Sequence, residues 1–336
     1  MYTERIVLNE ERNVTLTAWL QPVGSDFAGV SVRPAVLILP GGGYHFCSDR
    51  EADPVAFPYL KAGYHALILR YSLNEQAVWP NPLEDYEQAM ELIGRNAEAW
   101  HVATDRIAVI GFSAGGHLAA CAATMARHRP AAAILGYPVI DGDCARDYLA
   151  SAPDVPSAVD GNTCPCFVFA TRTDNLVPAQ NAVHLINALC AHDIAFESHI
   201  YSNGPHGLST GDECINDASF SGRYCKWVED SIEWLCDVMG GISPGGLTAP
   251  RFGGKINGNR EKTLNLDCTM KHLMQHPQGR TLLAEILPAA NDKPSFPQAA
   301  AGVITLRDSL RYSGLDSEGI RAIEARLAAI ENIQEE

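Results

Sequence analysis

The chain has 336 residues, 46% of them hydrophobic, and a formal net charge of −15. That length supports one large domain with a packed core and a smaller one, and the negative charge disfavours nucleic acid and anionic membrane surfaces as partners. The longest apolar runs are strand-sized, which predicts no membrane span, and the polar start Met1-Tyr2-Thr3-Glu4-Arg5 lacks a signal-peptide core.

In chain order, Arg5 to Leu8 and Val14 to Gln21 read as an opening antiparallel pair. A buried strand over 35–39 runs into Pro40-Gly41-Gly42-Gly43-Tyr44. Glycines after a strand let backbone N–H groups approach a developing oxyanion unobstructed, so Gly42 and Gly43 are candidate donors. A phosphate-binding loop competes, but it lacks both Gly-x-Gly-x-x-Gly and a Gly-Lys-Ser/Thr ending. A plain flexible turn is the bland reading. Ser48 and Glu51 have capping-box spacing for a helix over 49–62. After a strand over 65–70, Asn81, Pro82 and Glu84 read as cap, first-turn proline and N3 carboxylate of a helix over 82–99. Capping is therefore the expected role of Glu51 and Glu84.

A strand over 106–110 leads into Gly111-Phe112-Ser113-Ala114-Gly115 and an Ala-rich helix over 114–127. Strand, sharp turn and helix, with glycines flanking the serine, is the order of a nucleophile elbow. A serine hydroxyl needs a base, and the base needs a carboxylate to hold its tautomer. Behind such elbows these follow in the order Ser, Asp or Glu, His. After a strand over 132–136, the strand over 166–170 is followed by Asp174 and a helix over 179–191. The strand over 195–201 leads into Asn203-Gly204-Pro205-His206-Gly207, ahead of a helix over 221–238. Alone, Asp174 reads as a turn former or helix cap, and His206 as a solvated loop residue. Together, in order and each after a strand, Ser113, Asp174 and His206 read as nucleophile, orienting acid and base. The N–H of Ala114 is the second oxyanion donor, and His117 is expected to be structural. The alternation of strands and helices predicts a mostly parallel sheet covered on both faces.

Ten cysteines are spread along the chain. Cys121, Cys166, Cys190 and Cys236 lie in apolar contexts, which predicts reduced, buried thiols and a cytoplasmic protein. Cys164-Pro165-Cys166 has the spacing of neither a redox pair nor a zinc knuckle, so no metal is expected. Cys47 reads as packing.

The segments 40–44, Ser48-Asp49-Arg50-Glu51-Ala52, Arg70-Tyr71-Ser72, 111–117 and Pro205-His206-Gly207-Leu208 together resemble the α/β-hydrolase esterases. Within them the chain looks like the bacterial acetyl-xylan esterase and feruloyl-esterase-like group, related to hormone-sensitive lipase, over residues 5–240. Pro40 stands where hormone-sensitive-lipase-like relatives carry histidine, and the stretch from Pro138 to Pro165 is short for the group. The resemblance implies an α/β-hydrolase fold, no cofactor, and short acyl groups, acetate above all, on carbohydrate alcohols. Tyr44 and Trp79 are candidate flat walls for a sugar ring, with ordinary loop packing an equal alternative.

Composition shifts after Gly240. Residues 241–263, rich in Gly and Pro, read as a linker, and residues 264–336 carry helical signals only. Short helices are expected over Leu264–Gln275 and Thr281–Leu287, then a helical stripe of Ile320, Ile323, Leu327 and Ile330 after Asp316-Ser317, the helical signals ending at Ile333. This tail resembles a small helical module appended to some bacterial carbohydrate-active enzymes.

The expected activity is serine ester hydrolysis at residues 1–240 on a small-molecule or oligosaccharide ester. Self-association stays open. A serine peptidase on the same fold and a non-catalytic binding protein are the alternatives. A glycoside hydrolase would need a carboxylate pair across a cleft, and no such pair is evident.

Overall fold

A computed structural model describes residues 1–216, 222–286, 300–311 and 313–332. It forms two compact units, Met1–Gly254 and Lys255–Glu336. Ser221, Leu287 and Ile333, which bounded expected helical segments, lie outside the described residues.

The first unit is built on an eight-stranded sheet. Its elements are β1 (Tyr2–Asn9), β2 (Val14–Leu20), β3 (Arg33–Leu39), α1 (Asp53–Lys61), β4 (His65–Arg70), α2 (Asn81–Arg95), α3 (Ala97–Trp100) and β5 (Val102–Phe112). They continue with α4 (Ser113–Met125), β6 (Ala132–Gly136), α5 (Gly142–Arg146), β7 (Cys166–Thr171), α6 (Gln180–Ala191), β8 (Phe196–Tyr201) and α7 (Lys226–Met239). The strand order is β1-β2-β4-β3-β5-β6-β7-β8. β1 and β2 are antiparallel, as are β2 and β4, and every pairing from β4 to β8 is parallel.

Strand periodicity explains why both faces are covered. On β3, Ala35, Leu37 and Leu39 enter one core with Tyr86 of α2, Leu118 of α4 and Leu185 of α6. Val36 and Ile38 enter the other core with Tyr59 of α1 and Trp227 of α7. Successive side chains point to opposite faces, so a strand buried on both sides must be apolar throughout, and β3 is buried at every position. The central helix α4 is buried at every residue but Met125. Its alanines and glycines let it lie close to the sheet.

Some boundaries differ from expectation. The helix expected over 82–99 breaks at Asn96 into α2 and α3. Asn81 is helical rather than capping, and its side chain donates to the Gln76 carbonyl. The helix expected over 49–62 is a single 3-10 turn, Asp49–Glu51, followed by α1. Residues 241–263 are not a free linker. Residues 242–247 form a small hairpin, β9 (Ile242–Ser243) and β10 (Gly246–Leu247), and Gly245 N–H donates to the Ala28 carbonyl at 2.7 Å. Ala195 N–H donates to the Gly254 carbonyl at 3.0 Å. In the second unit, Leu264 N–H donates to the Ile330 carbonyl at 3.0 Å and Asn332 N–H to the Lys262 carbonyl at 2.9 Å.

The second unit is helical: α8 (Met270–Gln275), α9 (Pro277–Ile286), α10 (Leu306–Leu310) and α11 (Ser317–Ala328), around Leu264, Leu273, Leu283, Leu306 and Leu327. Thr269, Thr305 and Asp316 cap α8, α10 and α11 through their side-chain oxygens. Among the described residues no helix is long and apolar enough to cross a membrane.

Candidate active site

β5 and α4 meet at Ser113, which adopts φ +53°. That left-handed backbone is rare for a side-chain-bearing residue and is the strain of an elbow. The flanking glycines are required by space. A Cβ on Gly115 would lie 2.1 Å from the Leu39 carbonyl oxygen, and one on Gly111 would lie 2.2 Å from the Gly115 oxygen.

The ends of β7 and β8 bring the other two candidates to this elbow. His206 Nε2 lies 2.8 Å from Ser113 Oγ, and His206 Nδ1 lies 2.8 Å from Asp174 Oδ2. The Asp174 side chain is 1% exposed and that of His206 12%. The second Asp174 oxygen accepts the N–H groups of Leu176 and Val177 at 2.9 and 2.8 Å. Asp174 is therefore both the turn former of the bland reading and the partner of His206. These bonds leave Nε2 facing the serine hydroxyl as acceptor, the arrangement a general base needs.

The glycine loop lies against the elbow, since a Cβ on Gly41 would sit 3.0 Å from Ser113 Cβ. Gly42 and Gly43 adopt φ +132° and +62°. The Gly41 N–H is already taken by Glu51 at 2.8 Å. Gly42 and Gly43 thus remain the loop's candidate donors, and Ala114 is the first-turn amide of α4, one of the N–H groups a helix leaves unpaired.

The two aromatic candidates separate. Tyr44 is 2% exposed and its hydroxyl meets His117 Nδ1 at 2.8 Å, so it presents no wall to a sugar; this corrects the sequence reading. His117 in turn donates from Nε2 to the Pro153 carbonyl at 3.0 Å, and burial pushes its imidazole down to about 4. It is a neutral structural group, as expected. Trp79 is half-buried, packed on the core and edge-on to His117.

Glu51 needs a second correction. Ser48 makes no side-chain capping bond. The Glu51 carboxylate instead turns inward, 4% exposed, and accepts from Gly41 N–H and the Tyr137 hydroxyl. Burial raises its carboxyl above the usual range. Sequence reading missed Glu51 and Tyr137 because capping-box spacing offers a complete local explanation. Their signal is tertiary. Cys47 is the packing thiol expected, with burial pushing it up to about 12. All ten cysteines are free; Cys121 and Cys166 are buried as expected, but Cys190, on the outer face of α6, is exposed and Cys236 only half-buried. Among the described residues no cluster could hold a metal ion.

A cleft of about 880 Å³ opens between α5 and the start of α6, and Ser113, Asp174 and His206 are not among its lining residues. Tyr148, Leu176, Asp147 and the pairs Asp143–Arg146 and Asp141–His184 line it. A Cβ on Gly43 would lie 3.2 Å from the Tyr148 ring, which puts the cleft next to the glycine loop.

The BD-FAE family model matches residues 28–155. The structure of MGS-M1, an α/β-hydrolase enzyme from a Medee basin deep-sea metagenome library, is 42% identical with a TM-score of 0.67, covering 71% of this chain and 98% of that one. The carboxylesterase Cest-2923 of Lactobacillus plantarum WCFS1 is 30% identical with a TM-score of 0.67, covering 72% and 100%. An acetylxylan esterase of Xylanibacter ruminicola is 27% identical over 236 residues, 60% of this chain and 48% of that protein. The chain spans between 34% and 48% of the length of the first curated relatives it matches. On its fold, its glycine loop and elbow, and a relative 42% identical over 98% of that relative's length, the chain belongs to the α/β-hydrolase family.

Proposed function

We propose that the chain hydrolyses short-chain acyl esters, acetate above all, on carbohydrate alcohols, through an acyl-enzyme on Ser113. The observation that carries this reading is the pair of 2.8 Å bonds joining Ser113 Oγ, His206 and Asp174. His206 takes the hydroxyl proton as Ser113 attacks the ester carbonyl. Asp174 holds the tautomer and stabilises the imidazolium. The N–H groups of Ala114 and of Gly42 or Gly43 receive the oxyanion. His206 then protonates the leaving alcohol, and water reverses the sequence on the acyl-enzyme. The acetylxylan esterase relative supports a sugar acetate as substrate. Trp79 remains the candidate ring wall. Within the first unit, α5, five residues long, is the only α-helix between β6 and β7, where a long apolar lid would otherwise favour long acyl chains.

The test is turnover of p-nitrophenyl acetate, butyrate and octanoate, together with acetate release from acetylated xylo-oligosaccharides. Wild type should prefer acetate and release it from the sugar. Ser113→Ala should fold and lose about 10⁴-fold or more in kcat, and Asp174→Asn should be strongly impaired. A Ser113→Ala enzyme at the wild-type rate overturns the mechanism. A preference for octanoate overturns the substrate.

A further inference from the structure

We propose that Glu51 is a positioning residue whose buried carboxylate ties the oxyanion loop to the loop of the catalytic base. This rests on the assignment of Ser113 and His206 above. The connection runs through named bonds. Glu51 Oε2 accepts the Gly41 N–H at 2.8 Å, and Oε1 accepts the Tyr137 hydroxyl. The Tyr137 oxygen in turn accepts the Ser209 N–H at 3.1 Å. Ser209 lies three residues beyond His206, and its hydroxyl donates to the Arg50 carbonyl. Arg50 closes the circuit by donating to the Gly207 carbonyl and to Asn216 Oδ1 at 2.9 Å. Tyr137 also packs its ring edge-on to His206, with centroids 4.9 Å apart.

Both Glu51 oxygens take part in this circuit as acceptors, the pattern a carboxylate makes. The Tyr137 oxygen already accepts from Ser209, so its single proton goes to Glu51, and both carboxylate oxygens act as acceptors. A charged acceptor strengthens both bonds. The backbone carries the signs of being held. Tyr137 and Ser209 adopt φ +35° and +52°, conformations that persist only where surroundings impose them. Gly41 must be glycine here, since a Cβ would lie 2.7 Å from Glu51 Oε2. Because its carboxylate occupies the Gly41 N–H, Glu51 also leaves oxyanion binding to the next amides of the loop. It touches no reacting atom. Its effect is that oxyanion donors and base are placed by one buried charge.

Glu51→Gln keeps the shape and removes the charge, and Tyr137→Phe removes the link to Ser209. Each should lower kcat by about 10- to 100-fold with KM unchanged. Affinity for phenylboronic acid, whose tetrahedral adduct on Ser113 places an oxygen where the oxyanion forms, should fall in proportion. The double variant should lose less than the product of the single losses, because both act on one circuit. If folded Glu51→Gln keeps wild-type kcat and boronate affinity, or raises KM at constant kcat, the proposal is overturned. If Glu51→Gln fails to fold, Tyr137→Phe decides by the same two readouts. Ser113→Ala in the same assays reports separately on the underlying mechanism: activity retained there refutes the nucleophile, whereas an inert Glu51→Gln beside a dead Ser113→Ala refutes only the positioning role.

Discussion

His65 and His117 illustrate how burial, rather than residue type, sets the behaviour of single groups. Both are fully buried with both ring nitrogens engaged, His65 by Gln21 N–H and the His101 carbonyl, His117 by Tyr44 and the Pro153 carbonyl. Each such ring is a neutral tautomer, and burial holds each at about 4. In the unfolded chain a histidine titrates near ~6.5. The unfolded state therefore binds protons below that pH which the folded state refuses until about 4. Stability accordingly falls as pH drops through this window, with each residue contributing about 3 kcal/mol of loss by its lower end. Urea melts at pH 7, 5.5 and 4 should show the decline, and His65→Gln should make it shallower. A flat profile would refute the assignment of both rings as neutral.

Among elements, the elbow depends on how closely α4 lies against β3. A Cβ on Gly115 would meet the Leu39 oxygen at 2.1 Å and the Pro40 oxygen at 2.5 Å, both backbone atoms with nowhere to retreat. Gly115→Ala should cost about 3 kcal/mol or more and displace Ser113. Gly94, late in α2, has nothing within 4 Å of a built Cβ. Gly94→Ala should be neutral or stabilise by about 0.5–1 kcal/mol through helix propensity. Thermal melts of the two variants make the comparison, and equal effects would show that helix propensity, not helix–strand approach, governs the elbow.

For the whole molecule, the boundary between the units decides how the chain can be shortened. Residues 241–254 belong to the first unit and are held to the rest of it by Gly245 N–H on the Ala28 carbonyl, by Arg106 on the Thr248 carbonyl at 2.6 Å, and by Ile242, whose Cδ1 lies 2.5 Å from where a Gly63 Cβ would stand. A chain ending at Gly254 should fold and keep esterase activity. One ending at Gly240 should melt about 5 °C lower or more, because it strips these bonds and contacts. Equal melting of the two would return the boundary to the glycine-rich composition shift. Loss of activity at Gly254 would show that the second unit completes the enzyme.

What the amino-acid order determined by itself was the succession of apolar strands and helices, and with it a parallel sheet covered on both faces. Local chemistry suffices for this: continuous apolar runs such as 35–39, glycines where the backbone must turn, and candidate nucleophile, acid and base each just beyond a strand end. The tertiary structure alone decided where side chains with two plausible partners went. Glu51 had a local partner in Ser48 and chose Gly41 and Tyr137, because a turn of three residues buries it under the glycine loop. Tyr44 follows the glycines in sequence yet points into the core, because His117, 73 residues away in the chain, offers its ring nitrogen there. The glycines after residue 240 signalled flexibility, but backbone freedom also permits close docking, and packing against Ala28, Gly63 and Arg106 selected that outcome.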